Sequence, residues 1–203
     1  MKIVIDGLIG AGKSTQAGLI SEHYGLNVVK EPINDWPLDL FYSDPRRWGF
    51  LMQTAVLSSF SKLTDSDGIF ERSPQSSKEV FWKNLVKSGT VTETENDIFT
   101  KLFDALAWVP DVTIFISTPP INCWRHIQAR GQTGDSTITM DYLENLDRYY
   151  QEYINAYQGT VHVINGDQRI EKVTSDILKI LDRYISKNTP AYHAWIHQSD
   201  VYM

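Results

Sequence analysis

The stretch KIVID (2–6) runs straight into GLIGAGKST (7–15), and nothing else in the chain restricts the fold as tightly. The first five residues read as an apolar, β-branched strand of the kind buried in a parallel sheet. Gly7-Leu8-Ile9-Gly10-Ala11-Gly12-Lys13-Ser14 then matches G-x-x-x-x-G-K-[ST] in its expected setting of strand, loop and helix. Each part of the pattern has a physical reason. Glycines let successive backbone N–H groups turn inward on phosphate oxygens. The helix starting after Gly12 adds the positive end of its dipole. Lys13 brings a point charge to the outer phosphates, and Ser14 a hydroxyl for Mg²⁺. Gly7, Gly10, Ala11, Gly12, Lys13, Ser14 and Thr15 are therefore the expected phosphate contacts of a nucleotide.

The rest of the chain repeats the alternation of strand and helix. Further strands are predicted at NVV (27–29), GIFER (68–72), VTIFIS (112–117) and VHVIN (161–165). Helical spacing is found over 13–24, 45–63, 76–88, 95–108, 121–130, 140–157 and 169–186, with a polar gap, GQTGDST, at 131–137. Such alternation implies an α/β fold, a five-stranded parallel sheet with helices on both faces. Residues 1–187 are expected to form one domain, with a short lid at about 125–138. Residues 188–203 are a tail, rich in aromatic residues, without an assigned element. Ligands of such sheets sit at the carboxyl ends of the strands, so a functional motif is expected just after a strand.

Composition narrows the partners. Of 203 residues, 42% are hydrophobic and 22% charged, ordinary for a globular protein. The net charge is −6 and no basic run of five occurs, which argues against a nucleic-acid partner. No apolar run approaches the ~20 residues that span a bilayer, so no membrane partner is expected. No signal peptide fits the opening residues, because the apolar run ends at Asp6 and a glycine loop comes next. Cys123 is the single cysteine, so no internal disulfide can form, and a cytoplasmic or other reducing compartment is expected.

A phosphate cradle leaves open whether the phosphate passes to water or to an acceptor. The guanine-reading N-K-x-D of switch proteins is absent, and neither GIFER nor VTIFIS ends in the acidic pair usual for motor ATPases. The residues just past the strands suit acceptor chemistry better. Glu31, in EPINDW, lies just past the second strand, where a carboxylate can take a hydroxyl proton. The bland alternative is a solvated loop glutamate. Glu71-Arg72-Ser73 ends the third strand; Arg72 can grip a carboxylate or phosphate with two parallel N–H bonds, and Glu71 can hold Mg²⁺. The alternative is a structural ion pair. Arg125 and Arg130 precede the polar gap, as a lid closing on phosphates requires, or form a solvated face.

Taken together and in order, GLIGAGKST, EPINDW, YSDPRRWGFLMQT (42–54), ERS (71–73) and HIQARGQTGD (126–135) resemble the deoxynucleoside kinase family over residues 2 to about 186. The cradle is widely shared; the E-P-x-x-x-W and Y-x-x-P-x-R-W-x-F-x-x-Q elements are much more specific. The resemblance implies a P-loop kinase that passes the γ-phosphate of ATP, with Mg²⁺, to the 5′-hydroxyl of a deoxynucleoside. It implies Glu31 as general base, and Arg72, Lys13 and Arg130 as catalytic cations. Ser14 and Glu71 fall on the metal side. Tyr42 and Asp135 fall on the sugar 3′-hydroxyl, Asp135 standing where glutamate is usual. Gln53 would hydrogen-bond the base edge, Trp36 and Phe81 would pack on the base, and the adenine of ATP would lie near 166–170. The lid departs from the family, with His126 and Gln132 at two of three arginine positions. The base pocket departs too. Where cytidine- and purine-preferring members carry an arginine and an aspartate, this chain has Phe60 and Ser77, with Val56 nearby. An uncharged, apolar pocket suits a 5-methyl pyrimidine, so thymidine is the expected substrate, with other pyrimidines accepted. The family also implies a homodimer, with Trp48, Phe50 and Trp82 as candidates for the interface or the core. Two rival readings are a thymidylate kinase, whose phosphate acceptor needs more cation and no catalytic base, and a nucleotide-binding regulator without transfer activity.

Overall fold

The computed structural model describes residues 1–132 and 135–185. The tail at 188–203, with 186 and 187 before it, and the lid positions 133 and 134 lie outside the described residues. Five strands, β1 (Lys2–Gly7), β2 (Val28–Val29), β3 (Gly68–Glu71), β4 (Val112–Ser117) and β5 (Val161–Asn165), form one sheet in the order β2-β3-β1-β4-β5. All four pairings are parallel. The chain builds β2 and β3 on one side of β1, then crosses to build β4 and β5 on the other. That reversal opens a crevice at the carboxyl end of β1.

The alternation of β1 decides how the two faces are covered. Ile3 and Ile5 point to one face and Val4 to the other, all with no exposure. The Ile3–Ile5 face packs on helices α1 (Lys13–Tyr24), α8 (Met140–Ala156) and α9 (Ile170–Leu181) through Ala17, Ile20, Tyr150 and Ile177. The Val4 face packs with Phe70 under Met52, Val56 and Phe60 of helix α3 (Pro45–Ser61) and under Trp108. Burial on both faces is why these strands read as continuous apolar runs rather than alternating ones.

The helix starts follow local chemistry. Asp44 accepts the N–H of Arg47 at the head of α3, with Pro45 at its first position. Thr92 and Glu95 form a capping box for α6 (Glu93–Leu106). Two features depart from the sequence expectation. Residues 32–44, which carry no helical periodicity, form a short 3₁₀ turn (Ile33–Asp35) and helix α2 (Leu38–Ser43) with no fully buried residue. The single helix expected at 76–88 is instead a turn of α4 (Pro74–Ser76), a π-helical stretch (Ser77–Trp82) and α5 (Lys83–Lys87). On α3, Leu51 sits on the expected apolar stripe but is exposed. Helix α7 (Pro120–Arg130) leads into the lid region and is closed by Gly131 in the left-handed region. Among the described residues, no helix is long and apolar enough to cross a membrane.

Candidate active site

The crevice holds a cavity of about 790 Å³, within the range usual for small-molecule sites. Gly10, Ala11, Gly12, Lys13, Ser14 and Thr15 line one end. Gly7 does not line the cavity; it closes the strand, and its glycine identity serves packing instead. A Cβ there would lie 2.6 Å from the Ile116 carbonyl oxygen. Gly10 is held similarly, with φ +82° and a would-be Cβ 2.5 Å from the Cys123 carbonyl oxygen, so α7 presses directly on the loop. Lys13 folds back over the loop, donating from Nζ to the carbonyls of Leu8 (2.7 Å) and Gly7 (3.2 Å). Burial, with Arg72 nearby, lowers its pKa from 10.5 to about 8.

The charged residues after β2 and β3 converge, although not as adjacent pairs. Arg72 does not pair with its neighbour Glu71. Its Nη1 donates to Glu31 Oε2 at 2.6 Å, with both side chains about nine-tenths buried, 10% and 9% exposed. Glu71 instead accepts the Ser14 hydroxyl at 2.7 Å. Strand register explains the split. Glu71 lies beside Ile5, one residue short of Asp6, and so keeps the sheet's direction towards the cradle. Arg72 then leaves the sheet with φ +62°, the one non-glycine positive φ among the described residues. That conformation costs about 1–2 kcal/mol for an L-residue and swings the guanidinium across to Glu31. Burial opposes the charge on Arg72, but Glu31, then Tyr150 and Asp6, hold it charged far above the working range.

Glu31 and Arg72 therefore offer a carboxylate and a guanidinium in contact, in a dry wall of the cavity. Ser14 and Glu71 place a hydroxyl and a carboxylate oxygen together beside the cradle, a donor set suited to a hard cation. Among the described residues no group of three or more His, Cys, Asp or Glu is placed to hold a metal alone. A Mg²⁺ that keeps waters and shares phosphate oxygens needs only one or two protein ligands.

The other end of the cavity is mostly apolar. Val56 and Phe60 are buried, at 5% and 3% exposure, and Trp36 and Phe81 form further wall. Gln53 is the polar group of α3 facing this end, and it accepts the Ser77 hydroxyl at 3.1 Å. Of Met52, Gln53, Val56, Phe60 and Ser77, none is charged. The π-helical stretch carries both Ser77 and Phe81 to this wall; such widened turns often occur at functional sites. Trp36 is fixed by donating from Nε1 to Ser59 at 3.3 Å.

Between the two ends, Tyr42 and Asp135 line the cavity. Burial, then the Asp135 charge, pushes the Tyr42 phenol upward, so it stays a neutral donor. Arg130 grips Asp135 through Nε (2.9 Å) and Nη2 (2.8 Å), and this pair holds the Asp135 carboxyl below its ordinary value. His126 and Gln132 also line the cavity, and His126 Nδ1 donates to the Gly10 carbonyl at 2.8 Å. Arg125 lies outside this lining and bonds Asn122 on the exposed side of α7.

Three residues of this region, Asp6, Tyr142 and Tyr150, carry no signal in the sequence. Tyr142 lines the cavity, and its burial, then the neighbouring Tyr42, raises its phenol. Tyr150 accepts from Arg72 Nε at 3.3 Å and donates to Asp6 Oδ1 at 2.8 Å. All three belong to segments that read as ordinary strand or helix, so no local pattern marks them. Gly166, Gln168 and Ile170 line the cradle end, in the segment that resemblance assigned to the adenine.

The sequence pattern of the family described as deoxynucleoside kinase matches residues 3–187. Among curated proteins, the chain is 32% identical over 178 residues to putative kinase protein 029R of Invertebrate iridescent virus 3, covering 84% of this chain and 91% of that one. It is 28% identical over 192 residues to mitochondrial thymidine kinase 2 of Homo sapiens, covering 84% of this chain and 72% of that one. Among solved structures, deoxyadenosine kinase from M. mycoides with bound dCTP superimposes with a TM-score of 0.82 at 26% identity, covering 90% of this chain and 100% of that one.

Proposed function

The chain belongs to the deoxynucleoside kinase family, and on that premise we propose that it phosphorylates the 5′-hydroxyl of thymidine, and of other pyrimidine deoxynucleosides, at the expense of ATP. The observation that carries the base preference is the uncharged pocket of Val56, Phe60, Gln53 and Ser77. Gln53 can pair with a pyrimidine edge through its amide, and the apolar wall accepts a 5-methyl group. A purine or cytosine edge would find no charged partner there. The named relatives include both a thymidine kinase and a deoxyadenosine kinase, so the base preference rests on this pocket rather than on family membership.

In the proposed mechanism the triphosphate of ATP lies against Gly10 to Thr15. Lys13 exchanges its two carbonyl partners for phosphate oxygens. Glu31 accepts the 5′-hydroxyl proton as that oxygen attacks the γ-phosphorus. Lys13, Arg72 and Arg130 offset the charge that spreads over the transferred group. Ser14 and Glu71 would hold Mg²⁺, which when bound neutralises phosphate charge. Trp36 and Phe81 sandwich the base, and Tyr42 with Asp135 positions the sugar. A homodimer and a cytoplasmic setting belong to the same proposal. Of the three aromatic residues considered for a dimer contact, Trp82 is core, 3% exposed, while Trp48 and Phe50 are half-buried.

The test is a steady-state assay with Mg-ATP, each natural deoxynucleoside, and thymidine monophosphate. The expected result is fast turnover of thymidine, deoxycytidine equal or slower, and purines poor. Preference for a purine would overturn the pocket reading. Turnover of the monophosphate alone would remove Glu31 from the mechanism.

A further inference from the structure

Arg72 has three nitrogens to satisfy and almost no access to water, at 8% exposure. Nη1 donates to Glu31 and Nε to the Tyr150 hydroxyl, while Nη2 is buried without a partner among the described residues. Two anchored nitrogens fix the plane of the guanidinium, and the third is the donor left for a ligand. The anchors are unequal during turnover. If Glu31 accepts the 5′-hydroxyl proton, its charge disappears, and Arg72 loses the protein carboxylate that orients it just as it must meet the charge of the transferred phosphoryl group. The next carboxylate of the protein acting on Arg72 is Asp6, fully buried at the end of β1, whose Oδ1 also accepts the N–H of Gly7 at 2.8 Å. Asp6 reaches Arg72 through one group, the Tyr150 hydroxyl, which donates at 2.8 Å and accepts at 3.3 Å. A hydroxyl can do both at once; no apolar side chain can do either.

We propose that Tyr150 is a positioning residue, which, tied to Asp6, holds the Arg72 guanidinium in place while Glu31 is neutralised by proton transfer. The inference rests on the reading of Glu31 as base. It assigns a task to the helix that follows the lid, since α8 thereby joins the cradle strand to the residue that meets the transferred phosphoryl group. The ring of Tyr150 is held independently of its hydroxyl, against Phe115 at 5.4 Å and Phe81 at 6.3 Å between centroids. Tyr150→Phe should therefore keep the packing and delete only the bridge.

The experiment compares wild type, Tyr150→Phe, Asp6→Asn and the double variant by full kinetics with ATP and the best deoxynucleoside. Tyr150→Phe is expected to lower kcat about 10-fold while both KM values stay within about 2-fold, the signature of an interaction realised in the transition state. Asp6→Asn is expected to lower kcat in the same way, and the double variant to be no worse than the poorer single one, because both break one chain of bonds. Unchanged kcat in Tyr150→Phe, or losses that multiply in the double variant, would overturn the proposal. Should Tyr150→Phe fail to fold, Asp6→Asn decides alone: a kcat loss at unchanged KM supports the bridge, and unchanged kcat refutes it. Glu31→Gln, run alongside, is expected to lose about 100-fold in kcat. If it does and Tyr150→Phe does not, only the Tyr150 assignment fails; if Glu31→Gln is unimpaired, the base reading itself fails.

Discussion

Lys13 is legible in the sequence as the candidate phosphate ligand, yet its state in the free protein comes from its surroundings. Burial beside Arg72 brings its pKa down to about 8. A polyanion selects the protonated amine, so affinity for ATP should be flat below about pH 8 and weaken as pH rises through it. Stability of the free protein runs the other way. The folded pKa lies below the unfolded value of 10.5, so the unfolded chain binds more protons between the two values. Stability therefore rises with pH from about 8 towards 10.5. Calorimetric titration of ATP across that window checks the first trend; Lys13→Met should be weaker throughout and lose the pH dependence. Arg72 shows the opposite lesson at the same scale. Its position after a strand is visible in the sequence, but its choice of Glu31 over the adjacent Glu71 is not. That choice follows from one positive φ, which residue type alone does not announce for arginine.

Among the elements, the π-helical stretch is the one whose shape matters most to the site. It presents Ser77 and Phe81 to the cavity and anchors itself away from it through Trp82, which stacks on Phe99 of α6 at 4.0 Å and donates to Asn96 at 2.9 Å. Trp82→Ala should cost about 3–5 kcal/mol of stability, read by chemical denaturation. The folded fraction should show a raised KM for the deoxynucleoside with the KM for ATP little changed, because Trp82 backs the stretch whose Ser77 and Phe81 line the end of the cavity proposed for the nucleoside. Equal effects on both KM values would mean that the stretch is not an independent support. Periodicity finds such a segment as a helix but cannot see an extra residue per turn, because the apolar spacing on its core side is nearly preserved. Helix α2 was invisible for a different reason. None of its residues is fully buried, so it carries no apolar period to detect.

The whole molecule brings together groups distant in the chain: Glu31 from the end of β2, Arg72 from β3, Arg130 from α7 and Tyr150 from α8. A ligand that touches several of them ties those elements together, and folding and binding are then linked. At about 100 times Kd, a nucleoside should add about 2.7 kcal/mol of stability, and so raise Tm by about 5–10 °C for a chain of this size. Thymidine should do so at lower concentration than deoxyadenosine, measured by a thermal-shift titration. The absence of any difference between them would contradict the base-pocket reading.

The sequence by itself determined the class of fold and the location of the phosphate loop. Both depend on local signals: apolar β-branched runs, and a glycine-rich turn between strand and helix whose spacing few other structures tolerate. It also singled out Glu31, Arg72, Gln53 and Asp135 as candidates, because all follow recognisable elements in family order, and the four line one cavity. Only the tertiary structure decided how those positions combine. It paired Arg72 with Glu31 and Glu71 with Ser14, left Arg125 outside the cavity, and brought Asp6 and Tyr150, 144 positions apart in the chain, into one hydrogen bond. Such contacts depend on strand order and on the direction in which each chain segment leaves the sheet. These are properties of packing between distant segments, and no window of neighbouring residues encodes them.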